Sequence, residues 1–242
     1  MRNAFLCPMV LGSGLIARAF NSFLHDDRVL VFASGVSNSS SATPADYARE
    51  KELLLAQEGT SARLVYFSTC SLHDPTLHAA GYIRHKRLME DLIREQFADH
   101  LIIRLPNVVG HTPNPYTLTN FLRDRIMAGE PFHVQAKACR YLMDVDTVAL
   151  GCPPMMTRPE YRGTTIDACL DKPVPVPQLV KAMEQLLNRQ AVTTEIEAGS
   201  CYHVDNTAFK QAWSAHAGLP WPGPDQWVDV LRKYYGGASG TE

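Results

Sequence analysis

Five short runs that are apolar almost throughout, at residues 5–11, 28–32, 63–67, 101–105 and 164–168, constrain this chain more than any other feature. A strand with one face in water alternates apolar and polar side chains, whereas a continuous apolar run is buried on both faces. Segments of helical period lie between the runs, at 15–24, at 82–95, and in a helix that Thr43 caps with Pro44 at its first position and Asp46 three residues after the cap. The order β-α-β-α-β-α-β predicts an α/β fold, a parallel sheet with helices on both faces. At 242 residues and 45% hydrophobic content, the chain has enough material for one sizeable core and a small second lobe.

The first run leads into Gly12-Ser13-Gly14-Leu15-Ile16-Ala17, a G-x-G-x-x-A turn that opens a helix. In that context Gly12 permits a tight turn, Gly14 lets backbone approach a pyrophosphate, and Ala17 lets helix and strand pack closely. The turn predicts a Rossmann-type, doubly wound sheet that binds a dinucleotide. NAD held through its ribose hydroxyls calls for an acidic residue about 20 positions on. Here the second run ends in Phe32-Ala33-Ser34-Gly35, so the choice between NAD and NADP stays open.

Tyr82 and Lys86 stand at i and i+4 and therefore share one helix face. A free phenol titrates near pH 10, and a neighbouring ammonium favours the phenolate, so the pair can exchange a proton with a substrate oxygen. The third run ends in Ser68-Thr69-Cys70-Ser71, small hydroxyl residues at the carboxyl edge where such sheets bind ligands.

With these motifs in order, VLGSGLIARAF, LVYFSTCS, YIRHK, IIRLPNVVG, TLTNFL and RYLMDVDTVA, the chain resembles the extended short-chain dehydrogenase/reductase family, the NAD-dependent epimerase/dehydratase group that acts on nucleotide sugars. The resemblance implies that Gly12, Gly14 and Ala17 line the cofactor phosphates, with Ser13, Leu15 and Ile16 on the same turn and Ala33, Ser34, Gly35 and Ser68 alongside. It implies that Thr69 is the family's catalytic threonine, Tyr82 its acid/base and Lys86 the partner of the cofactor ribose. It assigns Asn107 and Asn120 to the substrate diphosphate, Arg140 to a substrate phosphate, and a homodimer to the assembly. The competing reading of Arg140 is an ion pair with Asp144 or Asp146.

Two departures from the family pattern matter. Only about one helix fits between the glycine turn and FASG, so the adenosine-binding half is truncated, and Arg18, Ser34 and Ser37 are left to hold that end. Thr69 is followed by Cys70-Ser71 instead of the Asp-Glu pair of 4,6-dehydratases, which disfavours dehydration and leaves keto-sugar reduction or epimerisation. The expected function is an NAD(P)-dependent reductase or epimerase of a nucleotide sugar in polysaccharide or glycoconjugate synthesis. The alternatives are a catalytically silent, dinucleotide-sensing protein of the same fold and a carbonyl reductase of another small molecule.

Past residue 110 the texture changes. HTPNPYT reads as a loop, 118–127 and 176–188 as helices, and the serine cluster at 37–43 as a loop. The dinucleotide-binding domain is expected over 1–110 and about 136–170, and a substrate lobe over 111–135 and 171–242. Trp213, Trp221, Trp227, Tyr234 and Tyr235 are expected to pack that lobe. His73, His78 and His85 lack an acidic partner at recognisable spacing and read as loop or helix-surface residues.

A net charge of -2 gives no field that draws the chain onto nucleic acid or an anionic membrane. No run reaches the roughly 20 apolar residues that span a bilayer. Pro8 and the glycines interrupt the apolar amino terminus, which argues against a signal peptide and for a cytoplasmic protein. Cys7, Cys70, Cys139, Cys152, Cys169 and Cys201 are scattered singly, so neither a metal site nor a disulfide is expected and the thiols read as free.

Overall fold

The computed structural model describes residues 9–36, 41–216 and 218–237. Part of the first apolar run, Cys7, Ser37 and most of the serine cluster lie outside them. Strands and helices alternate through the first half as β1 (Val10–Leu11), α1 (Leu15–Ala19), β2 (Val29–Phe32), α2 (Pro44–Leu55), β3 (Arg63–Thr69), α3 (Gly81–Gln96) and β4 (His100–Leu105). There follow β5 (Asn107–Val109), α4 (Leu118–Ala128), β6 (Phe132–Gln135), β7 (Cys139–Arg140), β8 (Leu142–Asp144), α5 (Val145–Gly151), α6 (Pro153–Thr157) and β9 (Thr164–Asp167). The chain ends with β10 (Val174–Pro175), α7 (Val176–Leu187), β11 (Thr193–Ile196), α8 (Thr207–His216) and α9 (Gln226–Tyr235).

The central sheet has five parallel strands in the order β1-β2-β3-β4-β9. This is the expected Rossmann-type sheet, and β1 is its edge among the described residues. All seven residues of β3 are buried. Its side chains alternate between two cores, as the pleat requires. Val65 and Phe67 face Ala17, Phe20, Val148 and Phe209 on one side. Leu64 and Tyr66 face Leu54, Met89 and Ile93 on the other. Burying each large apolar side chain contributes about 1.5–3 kcal/mol.

The helix expected over 15–24 stops at Ala19 and continues as a 3-10 turn, Asn21–Phe23. The cause is packing: Phe20 is fully buried and stacks on Phe67 with ring centroids 4.9 Å apart. Thr43 caps α2 as expected, its hydroxyl accepting from the Asp46 N–H while the Asp46 carboxylate accepts from the Thr43 N–H.

A further core joins β5, β6 and β8 to α4, α7 and α9, with Val109, Leu122, Leu142, Leu179 and Leu231 at its centre. Trp227, Tyr234 and Tyr235 pack there, but Trp213 and Trp221 pack with Phe209 against the main sheet. No described helix is long and apolar enough to cross a membrane.

The cysteines correct one expectation. Cys139 and Cys201 form a disulfide with Cα atoms 4.6 Å apart, closing a separation of 62 residues, while Cys70, Cys152 and Cys169 are buried thiols. The pairing follows from a tertiary contact, in which the Cys139 N–H donates to the Ser200 carbonyl, and spacing along the chain carries no trace of it.

Candidate functional site

The carboxyl ends of β1, β2 and β3 open into a cavity of about 600 Å³. The glycine turn forms one end. Gly12 has φ +125°, and a Cβ on it would sit 2.4 Å from the Ala33 carbonyl oxygen, so only glycine fits. A Cβ on Gly14 would meet open space, and no side chain caps the helix it begins. Ser13, Gly14, Leu15 and Ile16 line this end, with Ala33 and Gly35 from the end of β2. Ser34 does not line it; its hydroxyl and carbonyl both accept from Arg49 at 3.2 Å. Arg18 lines the cavity and is held by the carbonyls of Ser13 and His111.

Ser68, Thr69, Tyr82 and Lys86 form the other end. The Thr69 hydroxyl accepts from the Ser71 N–H at 3.1 Å, which leaves its own proton to donate. Burial pushes the Tyr82 phenol up; the Lys86 charge opposes this, the Glu50 charge adds to it and Thr69 opposes it, with a net rise above the ordinary value. The Lys86 Nζ lies 5.8 Å from the Tyr82 ring centre.

The sequence reading missed what stands behind this pair. Lys86 is buried and donates to Glu50 Oε1 at 2.9 Å and to the Tyr66 hydroxyl at 2.7 Å. Tyr66 in turn donates to Glu50 Oε1 at 2.7 Å. The other carboxylate oxygen accepts from the Val36 N–H at 2.9 Å and faces His85 Nε2 at 3.1 Å. Because Glu50 is an acceptor only, His85 carries its proton on Nε2. Burial raises the Glu50 carboxyl, but the Lys86 charge and the hydrogen bonds from His85, Lys86 and Tyr66 outweigh it and hold the group far below the usual range. A sequence signal existed: Glu50 stands four residues before Leu54 on the buried stripe of α2, where a carboxylate needs a partner.

Two histidine expectations are corrected by the same folding. His85 is buried against Glu50 and stacks on Tyr47 at 4.5 Å, and His73 Nε2 lies 2.9 Å from Asp167 Oδ1. Their acidic partners are 35 and 94 residues away along the chain, so local spacing does not reveal them. His78 is exposed in the turn after Leu77, a loop position as expected.

The three residues expected at the substrate do not line the cavity. Asn107 donates to the Tyr141 carbonyl at 3.2 Å. Asn120 is buried, donates to the carbonyls of Thr112 and Asn114 at 3.0 and 2.8 Å, and accepts from the Tyr235 hydroxyl at 2.8 Å. It thereby braces the loop whose Thr112, Asn114 and Tyr116 form a wall of the cavity. Arg140 donates to the Cys139 carbonyl at 2.7 Å and lies 3.6 Å from the buried Asp74. Asp144 and Asp146, its expected alternative partners, instead hold Lys233 at 2.8 and 2.6 Å.

No family model and no curated protein matches the sequence. The fold does match solved structures. Similar to it is RMD from Pseudomonas aeruginosa complexed with NADPH, at a TM-score of 0.63 and 13% identity, with 95% of this chain and 89% of that one covered. The Thermus thermophilus UDP-glucose 4-epimerase, complexed with NAD, aligns at a TM-score of 0.63 and 14% identity over 92% of this chain and 81% of that one. The Bacillus cereus UDP-glucuronic acid 4-epimerase, in complex with UDP-glucuronic acid and NAD, gives 0.64 and 12%, covering 93% and 79%. The chain thus shares its fold with these solved structures.

Proposed function

We propose that this chain is an NAD(P)-dependent oxidoreductase of a nucleotide-activated sugar, with reduction of a keto-sugar as its reaction. The observation that carries the reading is a single cavity with the glycine turn at one end and Thr69 and Tyr82 at the other. The residues present fit the pyrophosphate and nicotinamide ends of a dinucleotide: Gly12 and Gly14 clear the backbone for phosphate, and Lys86 keeps one of its three N–H groups beyond the two given to Glu50 and Tyr66. On the far side of β1 there is no described strand to hold adenosine. A reduced nicotinamide supplies hydride when bound.

The chain's residues supply the rest. Thr69 Oγ1 donates to the substrate carbonyl oxygen and fixes it beside the phenol, and Tyr82 Oη gives that oxygen its proton. Leu105, Pro106 and Val108 give this end an apolar wall that limits water. Solved structures of this fold with NAD, NADPH and UDP-sugars bound support the cofactor and substrate classes. Asn120 serves the substrate through the loop it braces, and Arg140 is available to a phosphate only if it leaves Asp74.

The test is calorimetric titration with NAD(H) and NADP(H), then a screen of nucleotide sugars for NAD(P)H oxidation. We expect binding below millimolar concentration and turnover that falls by a factor of about 10² or more in Tyr82→Phe. Absence of dinucleotide binding refutes the enzyme reading. Binding with no turnover of any nucleotide sugar turns the assignment to the silent, dinucleotide-sensing alternative.

A further inference from the structure

Lys86 is expected to act on Tyr82 as an isolated cation, yet its ammonium is not isolated. Glu50 reaches it from a separate helix, α2, and is itself wholly inaccessible to solvent. All of the carboxylate's neighbours donate to it: Lys86 and Tyr66 at one oxygen, His85 and the Val36 N–H at the other. Such burial is costly for a charge, and an apolar side chain would fill the same space on α2 without that cost. The end of β2 is also shaped around the pair. A Cβ on Gly35 would lie 3.0 Å from Lys86 Nζ and 3.4 Å from Glu50 Oε1, so a glycine lets the backbone pass over both.

We propose that Glu50 is a positioning residue that neutralises the Lys86 ammonium from behind the cavity wall, so that Tyr82 works as a proton-donating phenol and the site is built for carbonyl reduction. The inference rests on the reductase reading above and adds its direction. An uncompensated ammonium beside a phenol stabilises the phenolate. A carboxylate 2.9 Å behind that ammonium turns it into one end of a dipole, whose pull on the phenol is far weaker. The groups that act on Tyr82 are Lys86 from its own helix, Glu50 and Tyr47 from α2, and Thr69 from β3. Among these Lys86 brings the only cation, and Glu50 cancels it. Epimerisation begins by taking a proton from an alcohol and so requires the phenolate; carbonyl reduction requires the phenol, which this arrangement keeps.

The experiment uses the full-length chain without ligands, carrying tyrosine labelled with ¹³C at Cζ. The Tyr82 signal is assigned with Tyr82→Phe and followed by NMR from neutral to alkaline pH. In Glu50→Gln the Tyr82 midpoint is expected to fall by about one unit or more, a tenfold rise in its ionisation constant. In Lys86→Met it is expected to rise, and in the double variant to return close to wild type. An unchanged or raised midpoint in folded Glu50→Gln overturns the proposal, because a purely structural role for Glu50 does not move it in this direction. If Glu50→Gln does not fold, the comparison of Lys86→Met with the charge-free double variant reads the Glu50 charge through the same downward shift. No shift there overturns the proposal equally. The titration needs neither dinucleotide nor substrate, so its outcome is independent of the calorimetry that tests the reductase reading.

Discussion

Removing Lys86 while leaving Glu50 in place is the sharpest perturbation of this fold's buried charge. At 2.9 Å and an effective dielectric of 20, the pair attracts by about 6 kcal/mol before desolvation is counted. Breaking a buried pair by deleting one partner costs about 3–5 kcal/mol, which for a chain of this size lowers Tm by roughly 6–20 °C. The pH dependence has a definite sign. In the wild type the Glu50 carboxyl is held below its unfolded value, so its stabilisation is present above an unfolded pKa of about 4.3 and is lost as pH falls through the lower folded value. In Lys86→Met burial acts on Glu50 without the ammonium and raises its folded value. The deficit of the variant therefore opens as pH rises above the low folded value of the wild type and grows by about 1.4 kcal/mol per unit until the raised folded value of the variant is passed. Thermal and urea unfolding of both proteins at pH 5.5 and 7.5 measures this. A deficit that is the same at both pH values, or below about 1 kcal/mol at pH 7.5, refutes the reasoning. The double variant Lys86→Met/Glu50→Gln recovers most of the loss, since no charge is then stranded.

Gly12→Ala forces a side chain onto φ +125° and against the Ala33 carbonyl, so a loss of about 1–3 kcal/mol from the backbone alone and weaker dinucleotide binding are expected in unfolding and calorimetry. Opening the Cys139–Cys201 disulfide, by reductant or by Cys201→Ser, frees a loop with a separation of 62 residues in the unfolded chain, and about 4 kcal/mol of stability is expected to go with it. A melting curve that reductant leaves unmoved counts against the bond. Tyr235→Phe strips the buried Thr119 and Asn120 of a hydroxyl at 2.7 and 2.8 Å; we expect about 1–3 kcal/mol less stability, and faster amide exchange in the 112–117 loop.

The parts of this molecule that were legible in the sequence are those in which periodicity and burial coincide. The apolar runs at 28–32, 63–67 and 101–105 are strands because both of their faces are covered, and the G-x-G-x-x-A turn is informative because β1 precedes it and α1 follows. The edge position of β1 among the described residues was legible for the same reason, as too few residues separate the turn from FASG to form more strands. Contacts between residues far apart in sequence were not legible. The Cys139–Cys201 bond, the His73–Asp167 pair and the bracing of the 112–117 loop by Tyr235 each join segments whose local patterns are unremarked until the chain folds.

The Tyr82 and Lys86 spacing shows how a local motif underdetermines chemistry. Two residues at i and i+4 establish that a phenol and an ammonium share a helix face, and here they do, with Nζ 5.8 Å from the ring centre. What the ammonium does to the phenol depends on its other neighbours, and those come from α2 and β3. A Lys86 facing water and cofactor alone would favour a base at Tyr82; a Lys86 bound to Glu50 and Tyr66 favours an acid. The same four-residue spacing is therefore compatible with opposite roles, and the choice between them lies with a carboxylate 36 residues upstream. The edge of the sheet at β1, among the described residues, lies at a different part of the cavity, the glycine-turn end, whereas Thr69, Tyr82, Lys86 and Glu50 stand on the inner strand β3 and on α3 and α2. The edge position of β1 among the described residues and the hydrogen-bonded network that joins Lys86 to Glu50 and Tyr66 are thus independent features, and only the second bears on the direction of proton transfer.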